Sequence, residues 1–407
     1  QFTRNLVAGI PKNQEKAYDS EVHIRRLLHH FSSHFQLHDE EALPVARMLV
    51  QALSNIVTSN GRLVSHLWSQ YMDLSDEQNI LIRLLESPDE RLCVSLMVLI
   101  LNCTYGSPER ALMLSSTPTG RRLLIALLDR IALSSEDESG QAFEMGYQVF
   151  SQMFDLRLSR ELWYALPHPD EVVAPHQTTF LKILDSYLQQ SPELSLQNYL
   201  FLPEYFLRLV LYARESLRQS LPPSSSAAES SPLLMNPDAR LPKVSEALVL
   251  VSQCLIYLTL SEHLTETRVI LPVLQSATAP AGDGLAELLV DLLRLLEAFL
   301  PRIPLGQATG QIGFAYLKRD LVRVLGLICE ENKSLQDRIR SCGGIEAVMN
   351  LCVIDDRNPY LREHALFTLH HLLKNNPQNQ AVVAELEPMG VWDENGVLRD
   401  KPGAVRR

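Results

Sequence analysis

Residues 352–373, CVIDDRNPYLREHALFTLHHLL, combine side chains that acid–base chemistry and metal binding require. Asp355 and Asp356 are adjacent, and a pair of carboxylates can serve as general acid and general base. His364 and His371 follow, seven residues apart and so on one face of a helix, where imidazoles can ligate a metal. The competing interpretation is structural: the same residues could form the corner of a helical repeat.

A second histidine group lies near the start of the chain in HHFSSHFQLH. His30, His34 and His38 follow an i, i+4, i+8 spacing that could hold a metal on one helix. However, Phe31 and Phe35 are interleaved with them, and no carboxylate shares their face. We therefore predict no resident metal or other cofactor, and keep a metal-binding or metal-homeostasis protein that uses these histidines as the alternative function.

The carboxylates of the first stretch fit a helix start better than a reaction. Asn358 is a good N-cap, and Pro359 suits the first helical position because its missing N–H would be unpaired there. Asp355 and Asp356 then stand where a helix dipole favours negative charge. The sequence therefore predicts structural roles for all four residues.

The elements that position these residues form a repeat. Six positions recur at one constant offset, which equals the distance along the sequence from Leu317 to Leu361. The first copy consists of Leu317, Leu321, Leu325, Ile328, Asn332 and Gln336. The second copy consists, in the same order, of Leu361, Ala365, Leu369, Leu372, Asn376 and Gln380. The spacings put the apolar members on one stripe of a helix, which ends at the asparagine. Weaker copies of the stripe occur in the first hundred residues: Val45, Leu49, Leu53, Ile56 and Asn60, then Leu92, Leu96, Ile100 and Cys103.

A period in the mid-forties is typical of armadillo and HEAT arrays, whose units bury a continuous core only by stacking. One unit has room for three helices, around Leu335–Cys342, Ile345–Ile354 and Pro359–Lys374. Gly343 and Gly344 would turn the corner between the first two, because glycine accepts positive φ. The predicted fold class is all-α: an armadillo-like helical repeat solenoid, or α-α superhelix.

Breaks in the periodicity predict the domain organisation. The segment 220–243, rich in Ser and Pro, is expected to be a disordered insertion between two halves of the array. The predicted parts are N-terminal repeats at 1–219, the insertion at 220–243, C-terminal repeats at 244–387 and a tail at 388–407. Within the tail, Asn395-Gly396 predicts a small hairpin.

Composition bears on the partners and the compartment. The net charge is −11 and the pI is near 5.6, with no cluster of Lys and Arg, so we predict no nucleic-acid partner. Apolar segments such as Ala247–Leu260 are shorter than the roughly 18 residues that span a bilayer, so no membrane insertion is expected. Six cysteines without C-x-x-C spacing fit a reducing compartment. We therefore expect a cytoplasmic protein.

With the repeat established, the C-terminal copy resembles the signature block of the ataxin-10 family. The similarity lies within 314–380, in FAYLKRDLVRVLGLIC, QDRIRSCGGI, CVIDDRNPYLREHAL and NNPQNQ. The resemblance implies a non-enzymatic cytoplasmic scaffold that contributes to regulation of cytokinesis and to cell survival and signalling through bound proteins. It implies no catalytic residues. One departure is Leu327, where the family block tends to carry asparagine.

Partner binding has its own candidate positions. In armadillo proteins that hold extended peptides, the third helix presents an asparagine whose amide bonds the peptide backbone. The matching positions are Asn5, Asn55, Asn102, Leu327 and His371. The alternative is that these asparagines only bond neighbouring helices.

Further along the last third helix, Arg362 is a candidate partner-binding residue, and Arg362 and Glu363 are expected to contact the neighbouring repeat. The motifs of serine hydrolases, P-loops and dinucleotide-binding folds are absent, so no enzyme is predicted. Self-association is a further possibility, since a repeat array that begins inside a repeat exposes an apolar end.

Overall fold

The computed structural model describes residues 6–7, 9–33, 35–39, 41–134, 140–167, 171–191, 194–221, 238–265, 267–300, 302–303, 306, 314–385, 390–392 and 398–400. By internal packing the chain divides into two compact units, Gln1–Leu202 and Pro203–Arg407. Each unit is described separately.

The first unit is built from helices joined by short turns. Its α-helices are α1 (Pro11–Tyr18), α2 (Glu21–Phe31), α3 (Ala42–Val57), α4 (Gly61–Met72), α5 (Ile80–Leu85), α6 (Glu90–Thr104), α7 (Pro108–Ser116), α8 (Pro118–Ser134), α9 (Gln141–Asp155), α10 (Ser159–Tyr164) and α11 (Pro175–Gln190). Three short 3-10 helices accompany them at Gln36–His38, Asp76–Gln78 and Leu196–Tyr199.

Helix α12 (Phe201–Ser220) begins at the boundary, and the second unit continues with the same architecture. Its further helices are α13 (Leu241–Thr265), α14 (Ile270–Ser276), α15 (Leu285–Phe299), α16 (Leu317–Cys329), α17 (Lys333–Ser341), α18 (Gly344–Asn350), α19 (Leu361–Leu373) and α20 (Pro377–Glu385). Two short strands follow, β1 (Gly390–Trp392) and β2 (Leu398–Asp400).

One helix of each repeat packs on its equivalent in the next. In the first unit α3 packs on α6 and α6 on α9, and in the second unit α13 packs on α16 and α16 on α19. The predicted apolar stripe forms these contacts: Leu321, Leu325 and Ile328 are fully buried. Val45, Leu49 and Leu369 are the stripe members that stay partly exposed. Stacked third helices of this kind confirm the armadillo-like helical repeat fold.

The repeat from α17 to α19 has the three predicted helices. Gly343 has φ +69° and precedes α18, so it makes the sharp corner in the left-handed region, as predicted. A side chain there would also meet the Arg294 guanidinium, since a Cβ atom would lie 2.4 Å from Nη2. Gly344 is the first residue of α18 and packs against Ile339 and Val290.

A buried glutamine links neighbouring repeats, and its geometry recurs in both units. In the first unit, Gln14 Nε2 donates to the carbonyl oxygens of Asn55 (3.0 Å) and Thr58 (2.9 Å). Asn60, which caps α4, donates its side-chain amide to Gln14 Oε1 at 3.3 Å. The glutamine therefore bonds both the end of one third helix and the asparagine that starts the next helix.

The second unit repeats this arrangement. Gln336 Nε2 donates to the carbonyl oxygens of Cys329 (3.2 Å) and His371 (2.9 Å), and Asn376 Nδ2 donates to Gln336 Oε1 at 3.2 Å. The asparagine and glutamine that the sequence repeat singled out therefore bond each other between repeats, and both are buried. Gln380 occupies the next equivalent position, is exposed, and donates to the Leu373 carbonyl oxygen at 2.8 Å.

The tail and the insertion are described in part. The strands of the predicted hairpin pair antiparallel, with Val391 opposite Arg399. The turn at Asn395-Gly396 lies outside the described residues. Residues 222–237 of the predicted insertion also lie outside them, whereas Ser220 is helical and α13 begins at Leu241, inside the predicted range. The division at Leu202 falls earlier in the chain than the insertion.

Helix α13 corrects the expectation that every apolar segment falls short of a membrane span. It has 25 residues and is apolar enough to cross a bilayer by length and composition. Most of its apolar window is buried inside the protein, however, and it packs on α16. The buried share of that window, 61%, accounts for its apolar composition, as in the core helix of a solenoid.

Candidate partner-binding surface

The third helices carry the predicted ladder positions, which the first unit uses for contacts between helices. Asn102 on α6 donates its side-chain amide to Ser54 Oγ and Thr58 Oγ1, each at 2.9 Å. Gln152 on α9 repeats this contact by donating to Thr104 Oγ1 at 2.9 Å. Each amide thereby reaches back to the end of the preceding third helix.

The other two asparagines of the predicted ladder are Asn55 and Asn5. Asn55 is partly buried on α3, and its carbonyl oxygen accepts the bond from Gln14. Asn5 lies outside the described residues. Binding of a peptide backbone by Asn5, Asn55 and Asn102 stays a prediction.

At the two ladder positions of the second unit, the side chains are buried. Leu327 is 6% exposed and His371 is 4% exposed. The Phe367 ring stands edge-on to the His371 ring with centroids 4.3 Å apart. Among the described residues, neither ring nitrogen of His371 has a hydrogen-bond partner, and Glu330 Oε1 lies 3.9 Å from Nδ1. Burial lowers the pKa of His371, so the neutral imidazole is favoured.

Arg362 lies on the exposed side of α19. Its Nη2 donates to Glu363 Oε1 at 3.4 Å, and both side chains are about half exposed. The two residues that were expected to contact the neighbouring repeat thus pair with each other, and an exposed pair contributes at most about 1 kcal/mol. Partner binding by Arg362 stays a prediction.

The DDRNP corner corrects one sequence expectation. Helix α19 begins at Leu361, not Pro359, and the residue before it is Tyr360 with φ +65°. Asn358 does not cap α19: its Oδ1 accepts the backbone N–H groups of Lys318 (3.0 Å) and Arg319 (3.4 Å). The side chain of Asn358 therefore caps α16, a helix of the preceding repeat, while its backbone carbonyl oxygen accepts the Leu361 N–H at the start of α19.

The two aspartates also bond across repeats. Asp355 Oδ1 accepts from the backbone N–H of Ile303 at 3.1 Å, and its Oδ2 accepts from Asn358 Nδ2 at 2.9 Å. Asp356 Oδ2 accepts from the backbone N–H of Gly306 at 2.6 Å. With all these oxygens committed to backbone and amide donors, the pair has a structural role, but in holding the segment before α16 rather than in starting α19 as predicted.

The metal hypothesis gains no support from the described residues, among which no group of three or more His, Cys, Asp or Glu side chains could hold a metal ion. Helix α2 ends at Phe31, so the spacing of His30, His34 and His38 does not run along one helix. His30 is exposed and stands edge-on to Phe31. His34 itself lies outside the described residues.

The cysteines of the third helices are buried thiols. Burial raises the pKa of Cys103 and of Cys329 to about 12, and that of Cys93 to about 11. A nucleophilic cysteine needs the thiolate, which is scarce at neutral pH when the pKa is so high. These side chains therefore pack the core.

A groove of about 510 Å³ in the first unit lies where α9 and α11 end. Its polar lining includes Asp155, Tyr187 and Asn198, and Tyr187 donates its hydroxyl to Asp155 Oδ1 at 2.6 Å. Burial raises the pKa of Tyr187 to about 12, so this phenol is a hydrogen-bond donor at neutral pH rather than a base. The groove can bind polar groups, but it holds no pair of acid and base.

Sequence reasoning missed one feature of the second unit. Tyr316 and Tyr360 precede α16 and α19 at the same repeat offset, both with φ +65° and both exposed. Extending the recurring positions by one residue toward the N-terminus would have found the pair. Arg323, further along α16, carried no sequence signal at all.

Comparison with known proteins assigns the C-terminal repeats. The family described as "Spinocerebellar ataxia type 10 protein domain" matches residues 317–404. Ataxin-10 of Xenopus tropicalis is 33% identical over 124 residues, which is 28% of this chain and 25% of that protein. Human ataxin-10 is 31% identical over 122 residues, and the ataxin-10 homolog of Dictyostelium discoideum is 39% identical over 83 residues, covering 27% and 20% of this chain and 25% and 14% of those proteins. The matched part thus spans 25% of the length of the Xenopus and human relatives and 14% of the Dictyostelium one.

Two solved structures align along most of the chain at low similarity. One comes from work titled "A conserved phosphorylation switch controls the interaction between cadherin and beta-catenin in vitro and in vivo", with TM-score 0.34 and 12% identity over 91% of this chain and 71% of that chain. The other is a crystal structure of an engineered protein, with TM-score 0.29 and 12% identity over 91% of this chain and 93% of that chain. No conclusion is drawn from alignments this distant. Residues 317–404 of this chain are therefore similar in sequence to the ataxin-10 family domain, and the similarity falls on the last repeats of the array.

Proposed function

We propose that this chain is a non-enzymatic scaffold that binds other proteins through the third helices of its repeats. The observation that carries the proposal is the family domain at 317–404, whose third helices α16 and α19 pack side by side. Helix α19 also exposes apolar side chains, since Leu366 and Phe367 are 50% and 55% exposed. Exposed apolar side chains next to charged ones are typical of protein interaction surfaces.

The absence of an enzymatic activity is part of the same proposal. The chemically capable groups of the second unit that the sequence singled out have structural bonds: Asp355 and Asp356 hold the backbone at Ile303 and Gly306. The buried thiols have raised pKa values, which disfavours nucleophilic chemistry.

The biological setting is inferred from the family. We propose that the chain works in the cytoplasm and contributes to regulation of cytokinesis and to cell survival and signalling through its partners. Cell fractionation tests the compartment, and counting binucleate cells after depletion of the chain tests the role in division.

Affinity purification followed by mass spectrometry tests the scaffold. The tagged chain is compared with Phe367→Ser on α19 and with the matched control Leu112→Ser on α7, which is also exposed. We expect wild type and Leu112→Ser to recover the same proteins, and Phe367→Ser to lose part of that set. Recovery of no stable partner by the folded wild-type chain would contradict the scaffold, and equal recovery by both variants would contradict the placement on α19.

A further inference from the structure

The crossing of α16 and α19 brings basic side chains together on the surface of the second unit. Thr368 packs on Gly326 at the crossing, and Thr368 Oγ1 donates to the Val322 carbonyl oxygen at 2.9 Å. Arg323 follows Val322 on α16, and His364 lies one turn before Thr368 on α19. The two are close enough for the charge of Arg323 to lower the pKa of His364, after the larger effect of burial.

The acidic group at this crossing is already committed. Asp320 is 1% exposed and accepts two bonds from Arg319, at 2.6 Å from Nε and 3.0 Å from Nη2, and one from Gln253 Nε2 at 3.1 Å. The other nearby carboxylate, Glu363, pairs with Arg362 on the exposed side of α19. Asp320 therefore has little acceptor capacity left for a further cation.

Arg323 is left without a partner among the described residues: its guanidinium makes no hydrogen bond and no ion pair there. It is partly buried, and burial followed by repulsion from Arg319 lowers its pKa, against attraction from Asp320. His364 is likewise partly buried, and its imidazole makes no hydrogen bond within the described part of the chain. A half-buried basic pair without a carboxylate of its own is a site that an external anion would stabilise.

Two tyrosines flank the basic pair. Tyr316 is 42% exposed and Tyr360 is 71% exposed, and both have φ +65°. The Arg319 guanidinium lies over the Tyr316 ring, with Cζ 4.4 Å from the centroid. A bulky residue at positive φ is uncommon and costs roughly 1 kcal/mol or more, so its occurrence at both repeats points to a surface with a use.

We propose that Tyr316, Arg319, Arg323, Tyr360 and His364, here named the basic–aromatic patch, bind an extended peptide segment rich in Asp and Glu in a partner protein. The planar fork of Arg323 matches a carboxylate, His364 adds charge as it protonates, and the tyrosine rings cover the aliphatic parts of the segment. Charge complementarity selects the ligand, since the chain as a whole carries −11 and repels acidic segments elsewhere. This inference rests on the proposed scaffold function and adds the chemistry of the ligand.

Fluorescence anisotropy tests the patch with a short fluorescein-labelled peptide rich in Asp and Glu, and with its Asn/Gln counterpart. We expect the wild-type chain to bind the acidic peptide alone, and Arg323→Gln to bind it at least about tenfold more weakly at low salt. The matched control is Arg268→Gln, an exposed arginine outside the patch, which should bind as wild type does. Circular dichroism confirms that each variant is folded.

A pH series provides a second readout. Because the pKa of His364 lies below its ordinary 6.5, its positive charge grows as the pH falls through and below that value, while the peptide carboxylates stay ionised above about pH 5. Wild type should therefore bind more tightly toward pH 5.5, and His364→Asn should lose this gain.

Three outcomes would overturn the assignment. They are failure of the wild-type chain to bind the acidic peptide, equal loss in Arg323→Gln and Arg268→Gln, and binding only of a phosphorylated peptide. If protein partners are still recovered from cells by the intact chain while the acidic peptide does not bind, the patch assignment fails and the scaffold function stands.

Discussion

At the scale of single residues, the polar groups that suggested chemistry act between repeats. Asn358 is 1% exposed and satisfies two backbone donors of α16, while Asp355 holds both Asn358 and Ile303. A short sequence such as DDRNP therefore fixes the distance between two repeats, which is a longer-range task than starting the next helix.

Replacement of Asn358 tests this cap. Asn358→Ala removes the acceptor for Lys318 N–H and Arg319 N–H and leaves buried polar groups unsatisfied, so we expect a loss of about 2 kcal/mol in the free energy of unfolding. Chemical denaturation followed by circular dichroism measures it. Asn350→Ala, at an exposed position of the same unit, should change stability by less than about 0.5 kcal/mol. Equal effects of the two changes would contradict the cap.

His371 predicts a pH dependence of stability. Its pKa is lowered in the folded chain, first by burial, with His370 and Lys374 lowering it further and Glu330 and Glu331 opposing them. As the pH falls through about 6.5, the unfolded chain therefore binds the proton first, and stability falls until the pH passes below the folded pKa. Stability above about pH 7 is unaffected.

His371→Leu tests this pH dependence. The substitution introduces leucine, the residue that stands at the equivalent position of the preceding repeat, Leu327. It should remove part of the stability loss between about pH 7 and pH 5.5, as followed by thermal unfolding. His23→Leu, at an exposed position on α2 in the first unit, is the control and should keep the wild-type dependence. A wild-type pH profile in His371→Leu would show that other groups cause the loss.

At the scale of elements, stacked third helices are held by an apolar stripe and a glutamine between repeats. Gln336 forms hydrogen bonds with three elements: the end of α16, the end of α19 and the asparagine that starts α20. Gln14 makes two of these three links in the first unit, to the end of α3 and to Asn60, which starts α4. Two independent occurrences indicate that this bond set defines the spacing of the repeats.

For this reason Gln336→Leu should lower the free energy of unfolding. The change removes the donor to the buried carbonyl oxygens of Cys329 and His371 and one of the two acceptors of the Asn376 amide, so we expect about 2 to 3 kcal/mol of destabilisation. The control is offered by the repeat itself: Gln380→Leu alters the equivalent but exposed position, which bonds Leu373 alone, and should cost less than about 1 kcal/mol. Denaturation midpoints that shift equally in both variants would rule out the inter-repeat role.

The elements also show how much of the fold can be predicted from the sequence. The offset from Leu317 to Leu361 predicted the buried stripe, and the glycine pair predicted the corner at Gly343, because both depend on local periodicity and backbone preference. The partner of Asn358 could not be predicted, because a capping residue reveals its own hydrogen-bonding type but not which helix end lies within reach. The basic–aromatic patch was missed for the same reason, since Arg323 and His364 meet only where α16 crosses α19.

At the scale of the whole molecule, charge decides which partners are compatible with the chain. The net charge of −11 is spread along the sequence, and many basic side chains are paired, such as Arg338 with Glu287 at 2.6 Å and Arg47 with Asp89 at 2.8 Å. Nucleic-acid binding depends on cations free to displace the counterions of the phosphates, so a few basic groups at one helix crossing do not suffice.

We therefore expect no binding of duplex DNA or single-stranded RNA at about 0.15 M salt, as measured by electrophoretic mobility shift over the micromolar range. The labelled acidic peptide serves as the positive control for folded, active protein in the same buffer. Retarded nucleic acid that is released by added salt would show a basic surface beyond the crossing of α16 and α19. In that case Arg323→Gln would distinguish the two sites, because it should weaken peptide binding and leave the nucleic-acid shift unchanged.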